Sequence, residues 1–184
     1  MDRRKSGKDI ELETRDIYDS QRQLTGRIGH RGRPIAANDY HIIVHVCVFH
    51  PDGRLLIQQR HPHKRGWSNL WDVTAGGSAL EGETSGQAAE RELYEELGLS
   101  IPLVDKRPDL TINFEDGFDD YFITEASPEL EDLTLQPSEV QDVRWATKDE
   151  VLHLIDERRF LPLKYSFVHL LFDLHRQPTI FDMR

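Results

Sequence analysis

The stretch Tyr40–Phe49, YHIIVHVCVF, constrains the fold more than any other part of the chain. Its β-branched residues mark a strand. His41, Ile43, His45, Cys47 and Phe49 fall on one face, and Ile42, Val44, Val46 and Val48 on the other. With both faces largely apolar, the strand belongs in the centre of a sheet. Pro51-Asp52-Gly53 is a turn signature, and Arg54–Gln59 reads as the hairpin partner. Further strand signals lie at Ile10–Tyr18, Leu70–Thr74, Leu110–Phe114, Tyr121–Thr124 and Val140–Trp145.

Helices are predicted over Thr84–Leu97, over Lys148–Ile155 behind the cap Thr147, and over about Tyr165–His175. Thr84 and Gln87 have the capping-box spacing, and Gly98 suits a left-handed stop. The remaining segments read as connections: a turn at Asp19–Gly26, a basic linker over 27–39, a polar loop at His61–Asn69, a Gly-rich loop at Ala75–Gly82 and an acidic loop at Pro128–Pro137. Glu115, Asp116, Asp119 and Asp120 read as a solvated hairpin turn. The fold class is α/β, a mixed sheet with helices packed on it.

At 184 residues the chain suits one domain. Residues 1–9 are expected to be disordered or tag-like, and 10–184 to form a single domain with its core at 38–156. The net charge of −10 argues against binding nucleic-acid polymers or anionic membrane, so an anionic substrate needs local neutralisation. The single cysteine, Cys47, cannot form an intrachain disulfide and fits a cytoplasmic location. No stretch is long and apolar enough to span a membrane, and MDRRKSGKDIELE lacks the apolar core of a secretory signal.

The chemistry is concentrated in GSALEGETSGQAAERELYEELGL, from Gly77 to Leu99. Glu92, Glu95 and Glu96 stand at i, i+3 and i+4 of the predicted helix, neighbours on one face. Ala89, Leu93 and Leu97 form a separate apolar stripe. Clustered carboxylates imply a compensating cation, and hard oxygen donors suit Mg²⁺ or Mn²⁺. Gly76 and Gly77 allow a tight backbone path, where a carbonyl can face a metal or an amide a phosphate. Arg91 can hold a glutamate by a bidentate contact. Glu83, ahead of the helix, either favours its N-terminal dipole or assists at the metal.

These residues resemble the Nudix box. It is met without departure at Gly77, Glu83, Arg91, Glu92, Leu93, Glu95, Glu96, Gly98 and Leu99. Seven fixed identities match by chance on the order of 10⁻⁹ per starting position. The resemblance implies the family's α/β/α sandwich and hydrolysis of a small diphosphate, most readily a nucleoside diphosphate linked to another group. It further implies that Glu92, Glu95 and Glu96 bind the metal and that the Gly76 carbonyl joins them. Water then attacks phosphorus, with a glutamate as base. Glu95 and Glu139 are both candidates for that base. Many relatives are dimers, so a homodimer is an expectation.

Looser similarity over roughly residues 12–172 points to the isopentenyl-diphosphate-isomerase-like branch. That resemblance places the isomerase cysteine at Gly76 and a metal histidine at Ser78, and leaves only His41 with a counterpart. Hydrolysis is therefore favoured over isomerisation. A non-catalytic Nudix sensor is a further alternative, but its usual mark is a broken box. Arg60, His61, Lys64 and Gly77 are candidate substrate contacts. His41, His45 and Cys47 lack zinc spacing and read as packed interior residues. Trp67 and Trp71 read as core or rim packing.

Overall fold

The computed structural model describes residues 13–64, 66–177 and 181. The tail expected at residues 1–9 lies outside them. Two strands open the fold, β1 (Thr14–Tyr18) and β2 (Leu24–His30), paired antiparallel. The segments read as turn and linker therefore contain a strand. Its residues are mostly exposed and include two glycines, so the sequence carries no alternating pattern.

The main sheet is built on β3 (His41–Phe49). Beside it lie β4 (Leu55–Arg60), β5 (Trp71–Asp72), β6 (Ala75–Ser78), β7 (Leu110–Phe114), β8 (Gly117–Glu125) and β9 (Val140–Ala146). The order is β5-β4-β3-β8-β7, with β6 on β3 and β9 on β4. β3 is central, as its two apolar faces require. It runs parallel to β8 from His41↔Gly117 to Phe49↔Glu125, while its partners β4 and β6 run antiparallel.

Two readings of the acidic and glycine-rich segments are corrected. The Gly-rich stretch begins as strand β6, because Ala75–Ser78 pair with Ile43–Val46. Asp119 and Asp120 lie inside β8, leaving Glu115 and Asp116 to make the turn. Asp120 is fully buried. There it accepts from Arg22, whose Nη1 stands 2.9 Å from Oδ1, and from Ser85 and Thr111 hydroxyls at 2.5 and 2.6 Å.

Helix α1 (Ser85–Leu97) carries the expected reciprocal cap between Thr84 and Gln87, and Gly98 closes it at φ 67°. Its apolar stripe, Ala89, Leu93 and Leu97, packs on Ile42, Val44, Val46 and Val48. On the other face of the sheet, Cys47, Phe49, Leu55 and Ile57 are covered by Val151 and Leu154 of α2 (Lys148–Asp156) and Val168, Leu171 and Phe172 of α3 (Tyr165–Arg176). The layers are α/β/α. None of the helices among the described residues is long and apolar enough to cross a membrane.

Candidate active site

The site forms where α1 crosses β6. Ser78, Gly77 and Gly76 pair with Ile43, Val44 and His45, which fixes the glycine strand against the centre of the sheet. A side-chain carbon at Gly77 would overlap the Glu92 carboxylate, so glycine is what lets that carboxylate lie on β6. The neighbouring Gly76 N–H donates to Glu96 Oε2 at 3.2 Å. Glu92 and Glu96, one helical turn apart, thus both converge on the Gly76–Gly77 backbone.

Glu96 is only 2% exposed, on the flank of the apolar stripe. A buried carboxylate needs partners. Besides Gly76, it accepts from Gln58 Nε2 at 2.8 Å and pairs with Lys64 Nζ at 3.3 Å. Burial pushes its pKa up, opposed by Lys64, Gln58 and Gly76. Burial likewise pushes Glu92 up to about 7, opposed by Arg91 and reinforced by Glu96 and Glu95.

Arg91 organises the other carboxylates. Its Nε and Nη2 donate to the two Glu83 oxygens at 2.7 and 2.9 Å. Nη1 donates to Glu92 at 2.8 Å and Glu95 at 3.1 Å, and Nη2 also reaches the Ser78 carbonyl at 3.1 Å. The expected bidentate contact is made, and Glu83 receives it. Burial disfavours charge on Glu83, but hydrogen bonds from Arg91 and the Leu80 N–H outweigh it and hold the carboxyl below its usual range. Glu139 joins from the loop before β9 through an ion pair with Lys64. Its backbone carbonyl accepts from the His61 N–H at 2.8 Å, tying the 61–69 loop to the site.

Five carboxylates, Glu83, Glu92, Glu95, Glu96 and Glu139, therefore share two cations, Arg91 and Lys64. With these cations interleaved, no group of three or more acidic, histidine or cysteine side chains among the described residues is arranged to hold an ion.

The other candidates are placed differently. Arg60 is folded inward onto Asp72 at 3.3 Å. The rings of His61 and His63 pack together in the loop, 5.2 Å between centroids. Trp71 is buried, whereas Trp67 is 55% exposed and so packs in no core. His45 stacks on Tyr121 and meets Asp119 at 3.1 Å, and Cys47 is buried in the α2–α3 face. His41 is buried, with Nδ1 2.9 Å from the Asp116 carbonyl. These are packed interior roles, as their spacing implied. Gln58 went unnoticed in the sequence. The available signal was its parity: it shares a face with Leu56, which packs under α1, so it was a polar residue aimed at the glutamate helix.

The NUDIX domain model matches residues 39–166. The uncharacterized Nudix hydrolase lmo0368 of Listeria monocytogenes is 46% identical over 169 residues, covering 92% of this chain and 99% of that one. An isopentenyl-diphosphate Δ-isomerase of Pectobacterium atrosepticum is 30% identical over 124 residues, 61% of this chain and 65% of the other. Among solved structures, DR0079 from Deinococcus radiodurans aligns with a TM-score of 0.69 at 22% identity, covering 86% of this chain and 97% of that one. Domain match, near-full-length identity and an unbroken set of motif residues agree: the chain belongs to the Nudix hydrolase family.

Proposed function

We propose that the protein is a divalent-cation-dependent diphosphatase that cleaves a phosphoanhydride bond in a small substrate, most readily a nucleoside diphosphate linked to another group. The observation that carries this reading is the convergence of Glu92 and Glu96 on the Gly76–Gly77 strand. The donor set fits Mg²⁺ or Mn²⁺: it is all oxygen and carries a surplus of negative charge. Gln58 Oε1, beside Glu96, is moreover a buried acceptor with no partner. Glu92, Glu95 and Glu96 would hold the ion, with Glu83 assisting and the Gly76 carbonyl as a backbone donor. When bound, such an ion neutralises phosphate oxygens and acidifies water.

The chain's own groups supply the rest. Arg91 keeps Glu83, Glu92 and Glu95 in register for that task. Glu95 and Glu139, 48% and 30% exposed at the side chain, are the candidates to take the proton from attacking water. Lys64, between Glu96 and Glu139, supplies a cation for a substrate phosphate.

Isomerisation is disfavoured on steric grounds. A side-chain carbon at Gly76 would stand 2.7 Å from the Val44 carbonyl, so this backbone has no room for the isomerase cysteine.

A chromatographic screen for hydrolysis products over nucleoside diphosphate sugars, dinucleoside polyphosphates, nucleoside triphosphates and isoprenoid diphosphates, with Mg²⁺ or Mn²⁺, tests the reading. Metal-dependent turnover is expected, and Glu96→Gln should reduce it about 100-fold or more. A double-bond shift in isopentenyl diphosphate without phosphate release, or turnover indifferent to Glu96, would overturn it.

A further inference from the structure

A cavity of about 420 Å³ lies against the β1–β2 hairpin, with Arg15, Arg27, Gly29, His30, Arg33 and Asp39 in its wall. One of its guanidinium groups is satisfied internally, since Arg27 pairs with Asp39 at 2.6 Å. Arg15 and Arg33 form no ion pair among the described residues, and Arg15 Nε is buried without a hydrogen-bond partner. Burial is the main influence on the Arg15 guanidinium and lowers its pKa, with Asp116 favouring its charge and Arg31 opposing it. A half-buried cation with an orphaned donor is costly unless an anion meets it.

The room for Arg15 is built in. It faces Gly29 across the β1–β2 ladder. A side-chain carbon at Gly29 would stand 2.8 Å from Ile17 Cδ1 and 3.3 Å from Arg15 Cγ and Nε. Glycine therefore leaves the space in which the arginine lies across β2.

The hairpin is also fastened to the glutamate site. The Glu81 N–H donates to the Thr14 carbonyl at 3.0 Å, and the Gly82 N–H to Asp16 Oδ2 at 2.8 Å. Both donors sit in the loop between Gly77 and α1. Arg31, one residue past His30, is favoured in its charged form above all by its hydrogen bond to Glu13. Its partial burial opposes this, and Glu139 and Glu92 favour it further. Arg31, just past β2, thus acts on Glu92, which would hold the proposed metal, and on Glu139.

We infer that this cavity receives a phosphate oxyanion of the substrate, held by Arg15 and Arg33 apart from the phosphorus that is attacked. The identity of the ligand rests on the diphosphatase reading; the existence of an anion site does not. Guanidinium forks match phosphate geometry, and binding a part of the substrate remote from the reaction positions the reacting end. The substrate class is then one with an oxyanion beyond the reach of the glutamate site.

The test is calorimetric titration with inorganic pyrophosphate in the presence of a chelator, so that neither metal nor turnover enters. Wild type should bind. Arg15→Gln and Arg33→Gln should each weaken binding about tenfold, as expected for loss of a charged hydrogen bond. Glu96→Gln should bind undiminished. With the substrate found in the screen, both arginine variants should raise KM about tenfold with kcat nearly unchanged. Arg33 is exposed, so its variant does not threaten the fold and is the deciding one. No binding by wild type, or unaltered binding by Arg33→Gln, overturns the proposal. Loss of binding in Arg33→Gln in a protein that hydrolyses none of the diphosphates would leave the anion site standing and sink the diphosphatase reading alone.

Discussion

A methyl group at position 77 would occupy the place of the Glu92 carboxylate. Glycine there does not relieve strain in a turn; it lets a carboxylate touch a strand backbone. Gly77→Ala should turn Glu92 off β6 while the β3–β6 pairing survives. Affinity for Mn²⁺ should fall about 10- to 100-fold, as when a group that orients a metal ligand is lost, and turnover should fall with it. The thermal transition of the metal-free protein should move little, because the displaced carboxylate makes no apolar contact of the core. Isothermal titration with Mn²⁺ and a circular-dichroism melt measure the two quantities. Wild-type Mn²⁺ affinity in the variant would mean that Glu92 need not lie on β6 to bind. Arg91 sets a second constraint at this scale, since it donates to Glu83, Glu92, Glu95 and the Ser78 carbonyl together. Lysine, a point charge without the planar fork, cannot make those contacts at once.

Among the elements, the β1–β2 hairpin is the one most dependent on a few polar groups. Arg22, at the hairpin turn with φ 60°, reaches into the main sheet to pair with the fully buried Asp120. Ser85 at the start of α1 and Thr111 on β7 donate to the same carboxylate. One aspartate thus joins the hairpin, the helix that carries the glutamates and the sheet edge. Asp120→Ala leaves Arg22 and both hydroxyls without their acceptor, and removing one partner of a buried pair typically costs about 3–5 kcal/mol. Urea unfolding should register a loss of that size, and a loss below about 1 kcal/mol would show that the hairpin is held some other way. This role was hidden in the sequence, where Asp119 and Asp120 sit with Glu115 and Asp116 in one acidic run and read as solvent-exposed. Only pairing of β8 with β3 and β7 buries Asp120 and leaves Asp119 half-buried. β2 and β6 were hidden for a related reason: LTGRIGH and AGGS lack side-chain alternation, so only their partners make them strands. β3 and α1 were legible because each carries its instruction locally, two apolar faces in one and a capping box with an apolar stripe in the other. The site divides the same way. Glu83, Glu92, Glu95, Glu96, Arg91 and the glycines share one stretch of chain, whereas Gln58, Lys64 and Glu139 arrive from elsewhere in the sequence.

For the molecule as a whole, the carboxylate site should give the metal-free protein an inverted response to pH. Most paired carboxylates titrate lower in the folded state and stabilise proteins as pH rises. Glu92 does the reverse: burial lifts it from the ordinary 4.5 to about 7, against Arg91 and with the help of Glu96 and Glu95. Between those values the folded protein keeps a proton that the unfolded chain has released, so stability falls with rising pH. The contribution is complete below about pH 4.5 and is lost as pH climbs through about 7, a change worth about 3 kcal/mol at most. Glu96 moves in the same direction for the same cause. His41 works in the opposite sense, since burial and the nearby Arg15 hold its imidazole below 6.5. Its neutral form becomes easier to keep as pH rises through that range. The informative quantity is therefore the difference between wild type and Glu92→Gln, in which His41 cancels. Scanning calorimetry with a chelator from pH 5 to 8 should show wild type losing stability relative to the variant across that span. Saturating Mg²⁺ should remove the difference in slope, because a cation bound by ionised carboxylates stabilises the deprotonated folded state and displaces the proton. Parallel curves for the two proteins without metal would mean that the Glu92 carboxyl is ionised throughout, and the burial assigned to it would be wrong.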